Sequence, residues 1–212
     1  MTDARTGRSD IRPAVLKEAI SIGATEGLER LTIGRMATLL GASKSGVFGL
    51  FGSKEQMQLA AIEEARATFV AAVIAPALQA APGLVRLRRL CDAWLDHTSN
   101  EPQSGGCFFL SVAAEFTARP GPVRDSIVSA WDQWYEFHRQ TIAEAVRLGE
   151  MNSDTDPGAL TFELTALGRS ATSDLALFGD AEVIVWARHA MHAALRRYAT
   201  DSSRVPEPSS GR

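Results

Sequence analysis

Cysteine is scarce: the 212 residues hold two, Cys91 and Cys107, too few for a disulfide framework in a chain of this length. Long uncharged runs are scarce as well. Residues 67–85 carry no charge over 19 positions, close to membrane-span length, but their alanine bulk, Pro76, Gln79, Pro82 and Gly83 make insertion unfavourable and no membrane partner is expected. No secretory apolar stretch follows Met1, because Asp3, Arg5, Arg8 and Asp10 interrupt it; a reducing, cytoplasmic home is expected. Gly-rich phosphate loops are missing, and no strand pair with a hairpin turn appears. Cys107 has no evident base beside it. His189 and His192 share a helical face at a spacing of three, but no neighbouring Cys or acidic residue completes a metal set. Neither catalysis, nor a resident cofactor, nor a metal is expected.

What is present is ordinary globular material, 45% apolar and 22% charged. The formal charge of −3 argues against a wholly basic nucleic-acid coat, yet it is unevenly spread. Residues 1–58 hold 8 basic against 6 acidic side chains, and residues 59–212 hold 14 against 19. All three lysines, Lys17, Lys44 and Lys54, lie in the first part.

The dominant period is helical. Ile11, Val15, Ala19 and Ile22 form one apolar stripe opposite Arg12, Lys17, Glu18 and Ser21, a first amphipathic helix that Gly27 closes. Thr32 is an N-cap for a short helix through Met36, Ala37 and Leu40, ended by Gly41; Ser43 caps a second one to Phe51. Ser53 and Gln56 have capping-box form and open a long helix reaching at least Ile74, with Pro76 placed to bend it. Further on, Leu84, Leu87, Leu90, Cys91, Trp94 and Leu95 make a helical face, and 107–117 reads as another apolar helix. Pro120-Gly121-Pro122 stops and restarts the chain. Ile127, Trp131, Trp134, His138, Ile142 and Val146 stripe a helix over 123–148. Asp156-Pro157 opens one to about Phe178, and Asp180 caps the last, to about Tyr198. The tail from Thr200 is rich in Ser, Pro and Glu. The chain therefore reads as all-α, with about nine helices.

Two short helices meeting across a glycine turn in residues 32–51 have the requirements of a helix-turn-helix. Gly41 supplies the turn, Met36, Ala37, Leu40, Val47 and Phe51 the packing, and Ser43, Lys44 and Ser45 a polar start to the second helix, which can enter a DNA major groove.

The block Leu31-Thr32-Ile33 through Ala37, then Gly41-Ala42-Ser43-Lys44-Ser45-Gly46-Val47-Phe48, then Phe51-Gly52-Ser53-Lys54-Glu55, resembles the N-terminal domain of TetR-family transcriptional regulators. The resemblance implies a helix-turn-helix DNA-binding domain over 1–53 and a helical effector-binding and dimerisation domain over 54–199; the tail over 200–212 is expected from its composition to be disordered. It further implies DNA contacts at Lys44, Ser45 and Phe48 of the recognition helix and phosphate contacts from Thr32 and Lys54. Thr32, Ser43 and Lys54 all lie at helix starts, where free amides and the dipole favour phosphate. The sequence departs from the family pattern at Phe48, where tyrosine is frequent, at Gly46 and Gly49, which weaken the helix, and at Leu50, where a polar residue is frequent.

In the second domain, Trp94, Phe108, Trp131 and Trp134 are read as lining a mostly apolar ligand cavity, to which His97 and His138 offer hydrogen bonds. The segment Gly105-Gly106-Cys107-Phe108-Phe109 is read as able to adjust around a ligand. In position, the last two helices resemble the pair that forms the family's dimer interface. Leu160, Leu164, Leu167 and Ala171 share one stripe, and Val183, Trp186, Ala190 and Ala194 the other. The expectation is a homodimeric, ligand-responsive repressor that releases a palindromic operator in double-stranded DNA when it binds a small-molecule effector. The rival expectation is a helical small-molecule-binding protein that reads no operator, motivated by Gly46, Gly49, Leu50 and the acidic total.

Overall fold

The computed structural model describes residues 6–100 and 107–207; the expected adjustable glycines, Gly105 and Gly106, lie outside them. Within these residues the chain is helical, with the isolated bridge Met151 to Ala199 as its one extended pairing. The elements are α1 (Thr6–Thr25), α2 (Ile33–Leu39), α3 (Lys44–Phe51), α4 (Lys54–Phe69), α5 (Ala75–Leu78), α6 (Leu84–Asn100), α7 (Phe108–Phe116), α8 (Pro122–Arg147), α9 (Pro157–Phe178) and α10 (Glu182–Tyr198). A π-turn, Val70–Ile74, joins α4 to α5, so the two run on as one helix and nine helices are counted among the described residues. The π-turn falls just before Pro76, which has no N–H to donate and whose ring crowds the carbonyl four residues back. The helix widens there, with the Ala75 N–H donating to the Val70 carbonyl.

Local capping chemistry sets most of the boundaries. Thr32 Oγ1 accepts the Arg35 N–H at 3.0 Å, Ser43 Oγ accepts the Gly46 N–H at 3.0 Å, and Ser53 Oγ accepts the Gln56 N–H at 3.1 Å. Asp156 takes two amides, those of Gly158 and Ala159, with Pro157 in the first helical position. Asp180 accepts the Glu182 N–H at 2.9 Å ahead of α10. Glycines with positive φ, Gly27 after α1 and Gly41 between α2 and α3, make the turns that a Cβ would strain.

The chain forms two compact units. Among the described residues the first comprises 6–67 and 107–130, and the second 68–100 and 131–207. In the first unit α1 packs on α7 and α3, and α2 packs on α3; Val15, Ala19, Leu28, Leu31, Met36, Val47 and Met57 are fully buried. The first unit thus takes in most of α4, all of α7 and the start of α8, which the expected 54–199 domain includes. In the second unit α10 packs on α9 and α6, over a core that includes Leu87, Leu90, Leu95, Ile142, Leu160, Leu164 and Met191. Its last described residues fold back onto it. A 3-10 turn spans Ser202–Arg204, Val205 is buried, and Arg196 donates to the Val205 carbonyl. Composition had pointed to disorder from residue 200; one buried valine and the ion pairs of Arg196 with Glu207 and Arg204 with Glu150 hold these residues instead.

Candidate nucleic-acid interface and sensor residues

The two faces of α3 divide sharply. Val47 and Phe51 are buried, while Lys44, Ser45, Phe48 and Gly49, one and four residues apart, share an exposed face. Phe48 is 56% exposed, although it is a large apolar side chain with a core available behind it. Ser43 and Thr32 are exposed at the starts of α3 and α2, their hydroxyls engaged as caps. The Lys44 stem crosses Gly34 of α2, where a Cβ would come within 3.0 Å of Lys44 Cε. Lys44 makes no ion pair among the described residues. Gly46, the weak point of the recognition helix by propensity, has a local reason: a Cβ there would sit 2.9 Å from the capping Ser43 Oγ. Leu50 is half-buried and turns away from the exposed face.

Lys54 is differently placed. Its ammonium donates to the Glu29 carbonyl at 2.8 Å and to the Glu29 carboxylate at 2.9 Å. The hydrogen bond from Lys54 holds the Glu29 carboxyl below its usual range, against a small opposing effect of burial. Glu29 sits in the 3-10 turn Leu28–Arg30, which long-range contacts hold on two sides. Glu115 of α7 accepts the N–H groups of Leu28 and Glu29 at 2.7 and 2.9 Å, and the buried Gln58 amide of α4 donates to the Leu28 carbonyl at 2.9 Å. Ser111 of α7 also donates to the Ala24 carbonyl at the end of α1. Glu115, Glu29 and Gln58 carry no motif that marks these roles; contacts across 87 and 30 residues leave no local signal.

The expected sensor residues separate. Trp94 and Trp134 meet edge to face in the second unit, ring centroids 5.2 Å apart, and Phe69 meets Trp134 at 5.0 Å. Trp131 is half-buried beside Tyr135, and its buried indole Nε1 has no hydrogen-bond partner among the described residues. Phe108 belongs to the first unit, where its ring lies against Gly23 of α1 and Phe109. It is therefore not grouped with the three tryptophans, because the apolar run of α7 is spent on α1. Gly168 of α9 gives Trp94 its place, since a Cβ there would fall 2.2 Å from the indole.

The stripes expected to form the dimer interface divide by burial. Leu160, Leu164, Ala171 and Ala194 are buried inside the second unit and face this chain's own core, whereas Leu167, Val183 and Ala190 are half-buried. Of the eight residues only Trp186 is exposed, at 60%. The apolar side chains that α9 and α10 leave in solvent are Phe162, Leu177, Phe178, Val185 and Trp186.

His192 also has a partner that local reading missed. Its Nε2 lies 2.9 Å from Asp92 Oδ1 on α6, and its Nδ1 3.3 Å from the Pro206 carbonyl. Arg188 and Arg88 complete the charge balance around Asp92. Burial alone would raise the Asp92 pKa, but the hydrogen bonds from His192 and Arg188 outweigh it and hold the carboxyl below its usual value. Among the described residues no three His, Cys, Asp or Glu side chains gather as a metal set. Burial pushes the Cys91 thiol up to about 12, far from a reactive thiolate. No helix among the described residues is long and apolar enough to cross a membrane.

A helix-turn-helix with a polar recognition face, joined to a larger helical unit, is the architecture of a one-component transcriptional regulator. A family model described as Tetracyclin repressor-like, C-terminal domain, matches residues 83–191. The chain belongs to the TetR family of transcriptional regulators. Solved structures agree in fold. A TetR regulator from Chloroflexus aurantiacus is similar over 92% of this chain and 98% of its own, with TM-score 0.83 and 20% identity. A TetR-family regulator from Streptomyces coelicolor covers 90% of this chain and 96% of its own, at TM-score 0.76 and 23% identity. A regulator from Saccharomonospora viridis, solved with choline, covers 87% and 95% at TM-score 0.71 and 24% identity. No curated protein matches the chain in sequence.

Proposed function

We propose that this protein is an effector-responsive repressor, a cytoplasmic homodimer that holds a palindromic operator through α3 and releases it when the second unit takes up a small molecule. The observation that carries the reading is the exposed face of α3, where Lys44, Ser45 and Phe48 stand in solvent opposite the buried Val47 and Phe51. A lysine and a serine at a helix start reach phosphate or base edges, and Phe48 offers its ring to a sugar or a thymine methyl. Two copies are needed, because one such module binds weakly and two-fold symmetry spaces the recognition helices by a helical turn or a multiple of it.

The dimer surface is assigned to Phe162 and Leu177 of α9 with Val185 and Trp186 of α10, exposed apolar side chains on adjoining helices. Trp94, Trp131 and Trp134 are assigned to the effector site, and the choline held by the Saccharomonospora viridis regulator supports a small-molecule role for this fold. Uptake of effector favours a spacing of the two recognition helices that fits the operator poorly; a coupling of about 1 to 3 kcal/mol is enough to change occupancy severalfold or more. No catalytic step is assigned.

Selection of duplexes from a random pool tests this. Enrichment of a palindrome by the wild-type protein, lost in a Lys44→Ala, Ser45→Ala double variant, is the expected outcome. Enrichment of nothing at low salt supports the rival, a ligand-binding protein that reads no operator.

A further inference from the structure

His138 of α8 is fully buried. Its Nδ1 lies 3.0 Å from the Trp134 carbonyl, one helical turn back, and a carbonyl can only accept. Nδ1 therefore carries the proton, and Nε2 is left as a bare acceptor. Nε2 has no hydrogen-bond partner among the described residues. Burial lowers the pKa of the ring to about 4, so the imidazole stays neutral and the lone pair stays available.

One aromatic ring packs on this imidazole, and two more pack on that ring. Trp134 lies edge to face with His138, centroids 4.2 Å apart, and Trp134 in turn meets Trp94 and Phe69. A buried acceptor left unpaired is costly because its desolvation goes uncompensated, and native structures leave few such groups. Trp131, two turns before His138 on the same helix, carries a second group with no partner among the described residues, the donor Nε1–H.

We infer that the effector site of the second unit selects an uncharged apolar compound bearing a hydroxyl, which donates to His138 Nε2 while its apolar body packs against Trp94, Trp134 and Phe69. This rests on the reading of the second unit as an effector-binding unit. The selection follows from the acceptor. A carboxylate would set its own lone pairs against that of Nε2 and be buried as an unpaired charge. A hydrocarbon of the same shape would leave Nε2 unpaired, and sites built around a hydrogen bond discriminate strongly against the analogue that lacks it.

The full-length protein is titrated with phenol and 2-naphthol, each against its methyl isostere (toluene, 2-methylnaphthalene), and with benzoate and 2-naphthoate. Binding is followed by tryptophan fluorescence and by 15N NMR of labelled histidine. Expected is at least tenfold tighter binding of the hydroxyl compound in each pair, no measurable binding of the carboxylates, and a shift of the His138 Nε2 resonance on adding the hydroxyl compound only. In His138→Phe the tenfold preference disappears; the NMR result on the wild type stands whether or not that variant folds. Equal binding of hydroxyl and methyl probes, preference for a carboxylate, failure of both phenols to bind, or an Nε2 resonance already hydrogen-bonded without ligand would overturn the inference. Release of the selected duplex is read in the same samples. A phenol that shifts Nε2 without releasing DNA upholds this ligand chemistry and contradicts the effector coupling; release by a compound that leaves Nε2 unmoved overturns the ligand chemistry alone.

Discussion

Glu115 accepts the backbone N–H of Leu28 at 2.7 Å, tying α7 to the turn that precedes the helix-turn-helix, 87 residues away in sequence. The same carboxylate takes the Glu29 N–H, and Glu29 receives the Lys54 ammonium, so one turn joins α7 to the start of α4 within the first unit. Removing the carboxylate in Glu115→Ala is expected to cost about 2 kcal/mol of stability, the range for hydrogen bonds to a charged partner. Urea denaturation without DNA measures it. Gly27 is bound to the same contact: its φ is +92°, and a Cβ would lie 2.8 Å from Glu115 Oε2. Gly27→Ala should therefore cost more than about 1 kcal/mol alone and less in the Glu115→Ala background, a coupling that a double-mutant cycle reads directly.

Acid should weaken the second unit in two separate windows. The folded His138 pKa, about 4, lies below the unfolded value of 6.5, so the unfolded chain binds the proton more readily. Its effect on stability is absent above pH 6.5 and grows as pH falls toward 4, reaching a loss of about 3 kcal/mol. Asp92 has a folded pKa held below the ordinary aspartate value, so its stabilisation is present above that ordinary value and lost as pH falls through the folded one. Unfolding followed from pH 8 to 3 should show a first limb that His138→Phe removes and a second, more acidic one that it leaves.

The two apolar faces of α9 predict opposite phenotypes. Phe162→Glu and Trp186→Glu place a charge on side chains that are 68% and 60% exposed, and should leave a folded monomer by light scattering. Leu164→Ala empties a fully buried position and should instead destabilise the fold by about 2 to 5 kcal/mol. Dimer loss in Leu164→Ala with full stability would reverse the assignment of faces.

These contrasts show what was legible in the residues. Thr32, Ser43, Ser53 and Asp156 announce helix starts because a cap is chemistry within three residues. The exposed face of α3 follows from the same local reading. In α9 periodicity cannot decide, since Leu160, Leu164 and Ala171 on one side and Phe162 and Leu177 on the other are both apolar stripes, and only packing chooses the inner one. Phe108 resembles the tryptophans in composition alone, and composition does not say which neighbour an apolar helix covers. Asp92 with His192, 100 residues apart, and Glu115 with Leu28 join only on folding.

Lys44 carries the central claim. Binding to the selected duplex is measured against salt for wild type, Lys44→Ala and Lys54→Ala. Loss of one phosphate contact per subunit lowers the slope of log K on log salt by about 0.9 per subunit. Lys44→Ala should show that loss, and Lys54→Ala a smaller one, because Glu29 already neutralises the ammonium. An unchanged slope in Lys44→Ala would contradict DNA reading through α3.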